Sequence, residues 1–524
     1  MFFTFSILGV LCIISFSIIV MCWLGYMLTI NFLSFGGNFW FVLLNFDLTT
    51  VLILLMLLIC FTYVYSYTDH YFNGEVAGVE LNKLICLFVG VMASLVCTGD
   101  FLLTLVFWEY LGVVSFFLIL FYDSYLSLRS SIVTLVSSRF GDVCLFILIC
   151  VSCYSVNGPL AAGLVFFLII FTKSASFPFI SWLLEAMRAP TPVSSLVHSS
   201  TLVAAGVWFS MRYDLLLWFN NLFLFSVLLL VTIFITGLCC FFFIDLKKIV
   251  ALSTCNNISW CVFYLIFGDF VLSLFQLISH GVAKCMLFML VGDVMSGTGG
   301  SQASNCVYSS YLYSNWSIFS LFSVVLGLSG APFIGVFFTK HFLLTNFMCV
   351  SNVVLYSVVL GCIFLSYFYS FRLCAILVNL KSSTVTGVLY FFNSGLMVYF
   401  WLFINYLISI VLDESVQLSL FASVDLLIFQ FVSCILAYLF YSSNIFSNWS
   451  SSLFGCDNIV ELSYYIFLRL LDSVSMFFYR WDSYILSLFC NVGVSSIKVY
   501  IVSLLNIIVV TIFLYLMCYI IIYN

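Results

Sequence analysis

The chain has 524 residues, of which 65% are hydrophobic and only 7% charged, with a mean hydropathy of +1.27. A soluble domain carries about 25% charged residues, so a water-soluble fold is excluded. The net charge of −5 is spread over 20 acidic and 15 basic residues without a basic patch, which argues against a nucleic-acid partner.

A membrane-spanning helix needs about 20 predominantly apolar residues. By that criterion roughly fifteen or sixteen spans are expected, near 3–30, 48–67, 83–98, 101–121, 131–153, 160–180, 192–212, 221–243, 248–267, 270–294, 316–331, 333–350, 353–379, 385–411, 424–441 and 500–522. The runs are too long and lack the strict alternation of a transmembrane β-barrel. The predicted fold class is therefore an all-α polytopic membrane protein. Segment 1–30 has no basic start or small-residue cleavage site and reads as a retained span rather than a signal peptide. Few loops hold more than one Lys or Arg, so charge bias leaves the orientation open.

The rare charges fall inside these runs. Glu109 has apolar helix on both sides, so it must be neutral or paired with a cation inside the bundle. Arg139 and Asp142 are three residues apart, the spacing of an intrahelical pair. Lys173 follows a long apolar run and precedes Pro178, Pro190 and Pro192, with Glu185, Arg188 and His198 in the same stretch. An intramembrane lysine costs roughly 2.5–3.5 kcal/mol on insertion scales and marks a functional-site candidate. Prolines beside it suggest a broken helix, tolerated in lipid only where it is packed in protein or lines a wet cavity.

Asp245, Lys247 and Lys248 separate two apolar runs, and their spacing alone reads as a connecting loop. Farther on, His280 and Lys284 are four apart, stacked on one helical face at about 6 Å. Lys340 and His341 close Gly330-Ala-Pro332-Phe-Ile-Gly335-Val-Phe-Phe-Thr, a second Gly/Pro-interrupted apolar stretch. Four of the five prolines and three of the four histidines belong to these lysine segments or lie between them. Two such segments are what two structural repeats with broken helices leave in a sequence.

Cysteine is abundant, at 21 residues, but dispersed through apolar runs. Neither Cys150-x-x-Cys153 nor Cys239-Cys240 has His or a second CxxC at metal-ligand spacing, so these thiols read as small hydrophobes. No metal site is expected. The bias toward 62 Phe and 30 Tyr is one a thymine-rich coding sequence, such as a mitochondrial genome, would produce. Asn315-Trp-Ser and Asn448-Trp-Ser match a glycosylation sequon and are read as chance matches.

The motifs Phe-Thr-Lys173-Ser-Ala-Ser-Phe-Pro178, Trp182-Leu-Leu-Glu-Ala-Met187 and Ala-Pro190-Thr-Pro192-Val-Ser-Ser-Leu-Val-His198 resemble the antiporter-like subunits of respiratory complex I. Trp108-Glu109, Arg139-Phe-Gly-Asp142, Asp245-Leu-Lys-Lys-Ile-Val-Ala-Leu-Ser-Thr254, His280-Gly-Val-Ala-Lys284 and Pro332-Phe-Ile-Gly-Val-Phe-Phe-Thr-Lys340 follow in the same order. The likeness covers about residues 40 to 380. Four positions depart from it: Gln276 where a second histidine is frequent, Thr172 for a glycine, Leu184 for a proline, and His341 where an acidic residue is usual.

The tail favours the chain 5 branch of that family over its sister subunits. Asp457, Glu461, Arg469, Asp472, Arg480 and Asp482 fall within an arc of roughly 160° on a helical wheel, which predicts an amphipathic helix of about 26 residues, or roughly 40 Å. The resemblance implies that it runs laterally along partner subunits. The expected segments are N-terminal helices at 1–98, one antiporter-like repeat at 99–245, a second at 246–380, further helices at 381–441, the lateral helix region at 442–499 and an anchor at 500–524.

By the same resemblance, Glu109 and Lys173 form a coupled pair, Lys284 is the central proton carrier with His280 and His198 as relays, and Lys340 is the exit-side carrier. Arg139, Asp142, Asp245, Lys247 and Lys248 are supporting charges. The chain has no Gly-rich dinucleotide turn, cluster-ligand cysteine spacing or paired haem histidines, so no redox centre or cofactor is expected in it. NADH, FMN, iron–sulfur clusters and ubiquinone are expected in other subunits. Expected partners are neighbouring membrane-arm subunits, including antiporter-like subunit 4, and lipids such as cardiolipin in the mitochondrial inner membrane. The alternatives are an independent Mrp-type cation/proton antiporter subunit and a structural arm subunit that pumps nothing.

Overall fold

The computed structural model describes residues 27–35, 38–72, 74–153, 159–214, 222–267, 270–310, 315–331, 336–347, 353–380, 382–383, 401–402, 405–406, 420–441, 453–491 and 506–515. The chain divides into two compact units, Met1–Asp457 and Asn458–Asn524.

The first described elements of the first unit form an antiparallel hairpin, β1 (Met27–Phe35) and β2 (Asn38–Asn45). This corrects the expected helix at 3–30 over residues 27–30; the rest of that span lies outside the described residues. The two strands flank Gly36-Gly37, the kind of pair that two-residue hairpin turns favour. Open strand edges are excluded from hydrocarbon. The hairpin is instead tied to the loop at 97–100: Asn45 N donates to Cys97 O at 3.0 Å, Gly99 N to Leu43 O at 2.8 Å and Leu43 N to Asp100 Oδ2 at 2.9 Å.

Helices follow in chain order: α1 (Leu48–Tyr71), α2 (Val76–Val96), α3 (Phe101–Leu120), α4 (Tyr125–Cys153), α5 (Pro159–Lys173) and the short α6 (Ser181–Ala186). Next come α7 (Thr191–Leu196), a π-helical turn (Val197–Thr201) and α8 (Leu202–Arg212), which run on as one rod. After these come α9 (Phe223–Phe242), α10 (Leu246–Phe267) and α11 (Phe270–Ser296). Further helices described in the unit are α12 (Asn315–Ser329), α13 (Phe337–Phe347), α14 (Val353–Val378) and α15 (Leu420–Phe440).

Ten described helices are long and apolar enough to cross a membrane, and Ala162–Lys173 and Asn506–Tyr515 are shorter apolar helices. Of the fifteen or sixteen expected spans, three are shorter helices among the described residues: the 160–180 run stops at Lys173 after 15 residues, and those at 316–331 and 333–350 are α12, of 15 residues, and α13, of 11. The 385–411 span lies almost entirely outside the described residues, as does Pro332. Lys247 and Lys248, expected in a loop, stand in the first turn of α10; only Asp245 precedes the helix.

Burial within the chain sorts these helices. The rod Thr191–Arg212 is 100% buried over its most apolar window, and α10 and α11 are each 94% buried, whereas α15 is 22% buried and α4 39%. These three helices thus form the interior, and the less buried helices surround them, α4 among them with its Asp142 buried. Ionisable residues in membrane proteins are expected on such interior faces.

In the second unit, α16 (Cys456–Asn491) has 36 residues, longer than the expected 26. At 1.5 Å per residue it extends about 54 Å. Its apolar side chains, Phe467, Leu470, Phe477 and Trp481 among them, are exposed within this chain. The short helix α17 (Asn506–Tyr515) falls within the expected terminal span.

Candidate functional site

Two helix breaks hold two lysines. At the first, α5 ends on Lys173, and the chain turns through Ala175, a non-glycine residue in the left-handed region at φ 55°. Such a conformation costs on the order of 1–3 kcal/mol and persists only where surroundings impose it. Here Ala175 is fully buried and its carbonyl accepts the Cys255 thiol from α10 at 3.0 Å. The orphan Thr172 carbonyl at the helix end is taken by Trp182 Nε1 at 3.0 Å. That leaves the buried Lys173 Nζ without a hydrogen bond, 5.0 Å over the Trp108 ring.

At the second break, α12 ends at Ser329, Gly330 takes φ 91°, and α13 begins at Phe337. The ends are joined differently. Lys340 Nζ itself donates to the Ser329 carbonyl at 2.6 Å and to Ser366 Oγ at 2.7 Å, and sits 4.3 Å over the Tyr367 ring. One lysine is therefore a bridge across its break, while the other is left as an unbonded cation beside its own.

Glu109 and Lys173, expected as a coupled pair, form no salt bridge with each other, although Glu109 is among the charges around Lys173. Glu109 is hydrogen-bonded to Arg139 Nη1, which also lies 3.4 Å from Asp142 Oδ2. Asp142 is the carboxylate foremost in the electrostatic surroundings of Lys173, ahead of Arg139 and Glu109. Two carboxylates, one guanidinium and one ammonium make the cluster neutral when Lys173 is charged, and leave one negative charge when it is not. The close approach of α4 to α5 depends on Gly141, where a side chain would collide with the Thr172 hydroxyl.

His198 lies in the π-helical turn. The turn is built by hydroxyls that bond back to the backbone: Thr201 Oγ1 reaches Leu196 O, five residues earlier, at 3.0 Å. Side-chain hydroxyls compete in this way with the regular helical ladder, and single π turns are frequent at functional sites. Neither ring nitrogen of the buried His198 is hydrogen-bonded within the protein. A small cavity of about 10 Å³ is lined by Lys173, His198, Trp182, Thr172, Ser138 and Thr134. That is at the threshold for one water, about 10–15 Å³.

Lys284, midway along α11, donates to Ser253 Oγ of α10. His280, one turn earlier, is buried with both nitrogens unbonded. A second cavity, about 20 Å³, is lined by Lys284, Ser253, Asn257, Ser329, Tyr369 and Ser370. It has room for a water and reaches from Lys284 to the residue that Lys340 holds. Gln276, in the position of the missing histidine, accepts a hydrogen bond from Thr339 Oγ1 at 2.8 Å. His341 is buried, with Nδ1 unbonded.

The Asp245 group is peripheral to these cavities. Lys248 pairs with Asp245 at 3.4 Å, and the buried Lys247 donates to Ala189 O at 3.3 Å, just before Pro190. Sequence reasoning passed over two arginines. Arg212 bonds Asp47 Oδ2 at 2.6 Å, Asn45 O at 3.2 Å and Val96 O at 3.1 Å. Arg372 Nη1 bonds Cys240 O at 3.0 Å, at the end of α9. Their only signal was a lone cation at or within an apolar run.

The family described as "NADH:quinone oxidoreductase/Mrp antiporter, TM" matches residues 98–366. NADH-ubiquinone oxidoreductase chain 5 of Caenorhabditis elegans is 34% identical over 352 residues, covering 66% of this chain and 66% of that protein. The protein of the same name from Ascaris suum is 33% identical over 360 residues, covering 66% and 63%, and that from Artemia franciscana 34% over 298 residues, covering 54% and 54%. The matched stretch thus spans between 54% and 66% of the length of these relatives. In fold, the chain is similar to a structure of the Mrp complex from Dietzia sp. DQ12-45-1b, with a TM-score of 0.68 at 19% identity, covering 93% of this chain and 57% of that one. It is also similar to a structure of the membrane-bound sulfane sulfur reductase, an archaeal respiratory membrane complex, with a TM-score of 0.65 at 16% identity, covering 84% and 94%. With the family match spanning more than half of its residues, this multi-pass membrane chain belongs to the NADH:quinone oxidoreductase/Mrp antiporter transmembrane family.

Proposed function

We propose that the chain is a proton-translocating membrane-arm subunit of respiratory complex I in the mitochondrial inner membrane. NADH, FMN, iron–sulfur clusters and ubiquinone are held by other subunits, and this chain carries protons. Its partners are neighbouring antiporter-like and other arm subunits, the latter under a lateral α16, together with lipids such as cardiolipin. The chain 5 relatives support this reading at moderate identity.

The observation that carries it is the state of three buried lysines. Among the described residues, Lys173, Lys284 and Lys340 form no ion pair, since the lysine salt bridges are those of Lys83 and Lys248. A fixed carboxylate would hold a buried ammonium permanently charged. Hydroxyls, carbonyls and water stabilise it only partly, because burial of an unpaired charge is costly. Such an amine can give up its proton and regain it. A scaffold that kept its charges merely as buried ion pairs would show the opposite arrangement.

The breaks support two inverted repeats. Alternation of the spans sends α5 into the membrane from the side where α1 begins and α12 from the opposite side, as inverted broken-helix repeats require. Moving one proton against about 200 mV costs roughly 4.6 kcal/mol. Gaining or losing one or two hydrogen bonds to an ammonium, at about 1.5–3 kcal/mol each, is of that size.

The second reading, an Mrp-type cation/proton antiporter subunit, draws on the similarity to the Mrp structure. Purifying the native complex that contains this chain separates the two. NADH-dependent quinone reduction that drives proton release supports the complex I reading. Na⁺ or K⁺ exchange for protons without electron transfer overturns it.

A further inference from the structure

A titratable pair that the mechanism above does not use joins the ends of α1 and α11. Asp293 is in the last turn of α11 and His70 in the last turn of α1, with His70 Nε2 3.7 Å from Asp293 Oδ1. The His70 side chain is 23% exposed and that of Asp293 7%. The pair therefore has an outer member open at the face where α1 ends and an inner member closed within the protein. A carboxylate in a membrane span is expensive and needs a stated partner. The 3.7 Å separation is too long for a direct hydrogen bond but short enough for charge contact once the imidazole is protonated.

The cluster continues inward. The buried Tyr67 hydroxyl faces both Asp293 and Thr191, with Tyr71 as the other titratable neighbour. Tyr67 fits there because residue 292 is glycine: a side chain at Gly292 would collide with the Tyr67 hydroxyl and stand 3.4 Å from Thr191 Cβ. Thr191, Ser195 and Ser199 are spaced by four, so they line one face of the buried rod, rising about 6 Å per step. Ser195 and Ser199 face the Cys285 thiol, the residue next to Lys284. A file of hydroxyls thus leads from the Asp293 end toward the level of the central lysine.

We infer that His70 and Asp293 form the proton-exchange port of the Lys284 site, at the membrane face where α1 ends. The inference rests on the proton-carrier reading of Lys284 given above. In the inward direction a proton passes from water to the His70 imidazole and from it to the Asp293 carboxylate. It then moves along Tyr67, Thr191, Ser195 and Ser199, with intervening waters, toward Lys284. Each donor regains a proton from the group before it, so no redox partner is needed, and outward transfer is the reverse.

The test uses the assembled complex in sealed vesicles, with the proton-to-electron ratio measured during NADH-driven quinone reduction. Lys284→Ala sets the reference loss. Asp293→Asn is expected to bring the ratio down to the Lys284→Ala value, and Asp293→Glu to restore most of it. If Asp293→Asn does not assemble, His70→Gln, at the exposed member of the pair, carries the same comparison. A ratio that falls in Lys284→Ala but stays at the wild-type value in Asp293→Asn or His70→Gln overturns the port alone. A normal ratio in Lys284→Ala overturns the carrier assignment, and the port with it.

Discussion

Thr339 Oγ1 donates a 2.8 Å hydrogen bond to Gln276 Oε1, which fastens the helix of His280 and Lys284 to the residue before Lys340. The position that lacks a relay histidine is therefore a mechanical joint between the central helix and the second break. Gln276→Ala removes the acceptor but leaves Thr339 its bond to Val336 O at 2.9 Å. The expected cost to stability is about 0.5–1.5 kcal/mol, with assembly retained and the proton-to-electron ratio reduced. Ratio measurements on assembled complex check this, and an unaltered ratio assigns the contact to packing only.

Asp142 and Glu109 make unequal contributions to the first break. Asp142 is buried and foremost among the charges around Lys173, while Glu109 is part-exposed and bonded to Arg139. Asp142→Asn should impair proton pumping more than Glu109→Gln, because it removes the interior negative charge that balances Lys173. The comparison is made on assembled complexes at equal electron-transfer rates. The reverse ranking would make Glu109 the main charge coupled to Lys173.

Lys340 has both a structural and a proposed proton-carrying role. Lys340→Met leaves the Ser329 carbonyl at the end of α12 unsatisfied inside the membrane, at a cost of about 1–3 kcal/mol. Ser366→Ala removes only one neutral acceptor, while Lys340 keeps its bond to Ser329 O. Thermal dissociation of the complex should therefore shift clearly lower for Lys340→Met and only slightly for Ser366→Ala.

Arg212 is placed for stability rather than transport. It joins Asp47, Asn45 and Val96, so one side chain ties the hairpin, the start of α1 and the end of α2 to α8. Arg212→Ala should lower assembly yield and thermal stability, at roughly 1.5–3 kcal/mol per charged hydrogen bond lost. The proton-to-electron ratio of the complex that does assemble should stay as in wild type.

Much of this architecture was legible because lipid imposes a length and a polarity on every span. The runs from Leu48 to Phe242 and from Leu246 to Val378 became helices close to where the apolar pattern placed them. Lys173 and Lys340 were found at helix breaks, as their glycine and proline neighbours suggested. Local patterns misled where two elements share one signature. Lys247 and Lys248 look like a loop because the first turn of a helix can carry the same polar residues, here with Lys247 buried against Ala189 O. The strand from Met27 was hidden in a greasy run, although Gly36-Gly37 was a usable turn signal. Pairings across the bundle, Glu109 with Arg139 or Gln276 with Thr339, depend on which faces meet, which no single helix encodes. The hydroxyl-built π turn around His198 likewise needs the three-dimensional path of the rod.

The central claim is that Lys284, buried on α11 and held by Ser253 rather than by a carboxylate, carries protons. The most direct test is the proton-to-electron ratio of the assembled complex bearing Lys284→Ala, during NADH-driven quinone reduction in sealed vesicles. The account predicts that coupled proton pumping is abolished or sharply reduced while the complex stays assembled. A normal ratio with normal assembly would contradict it.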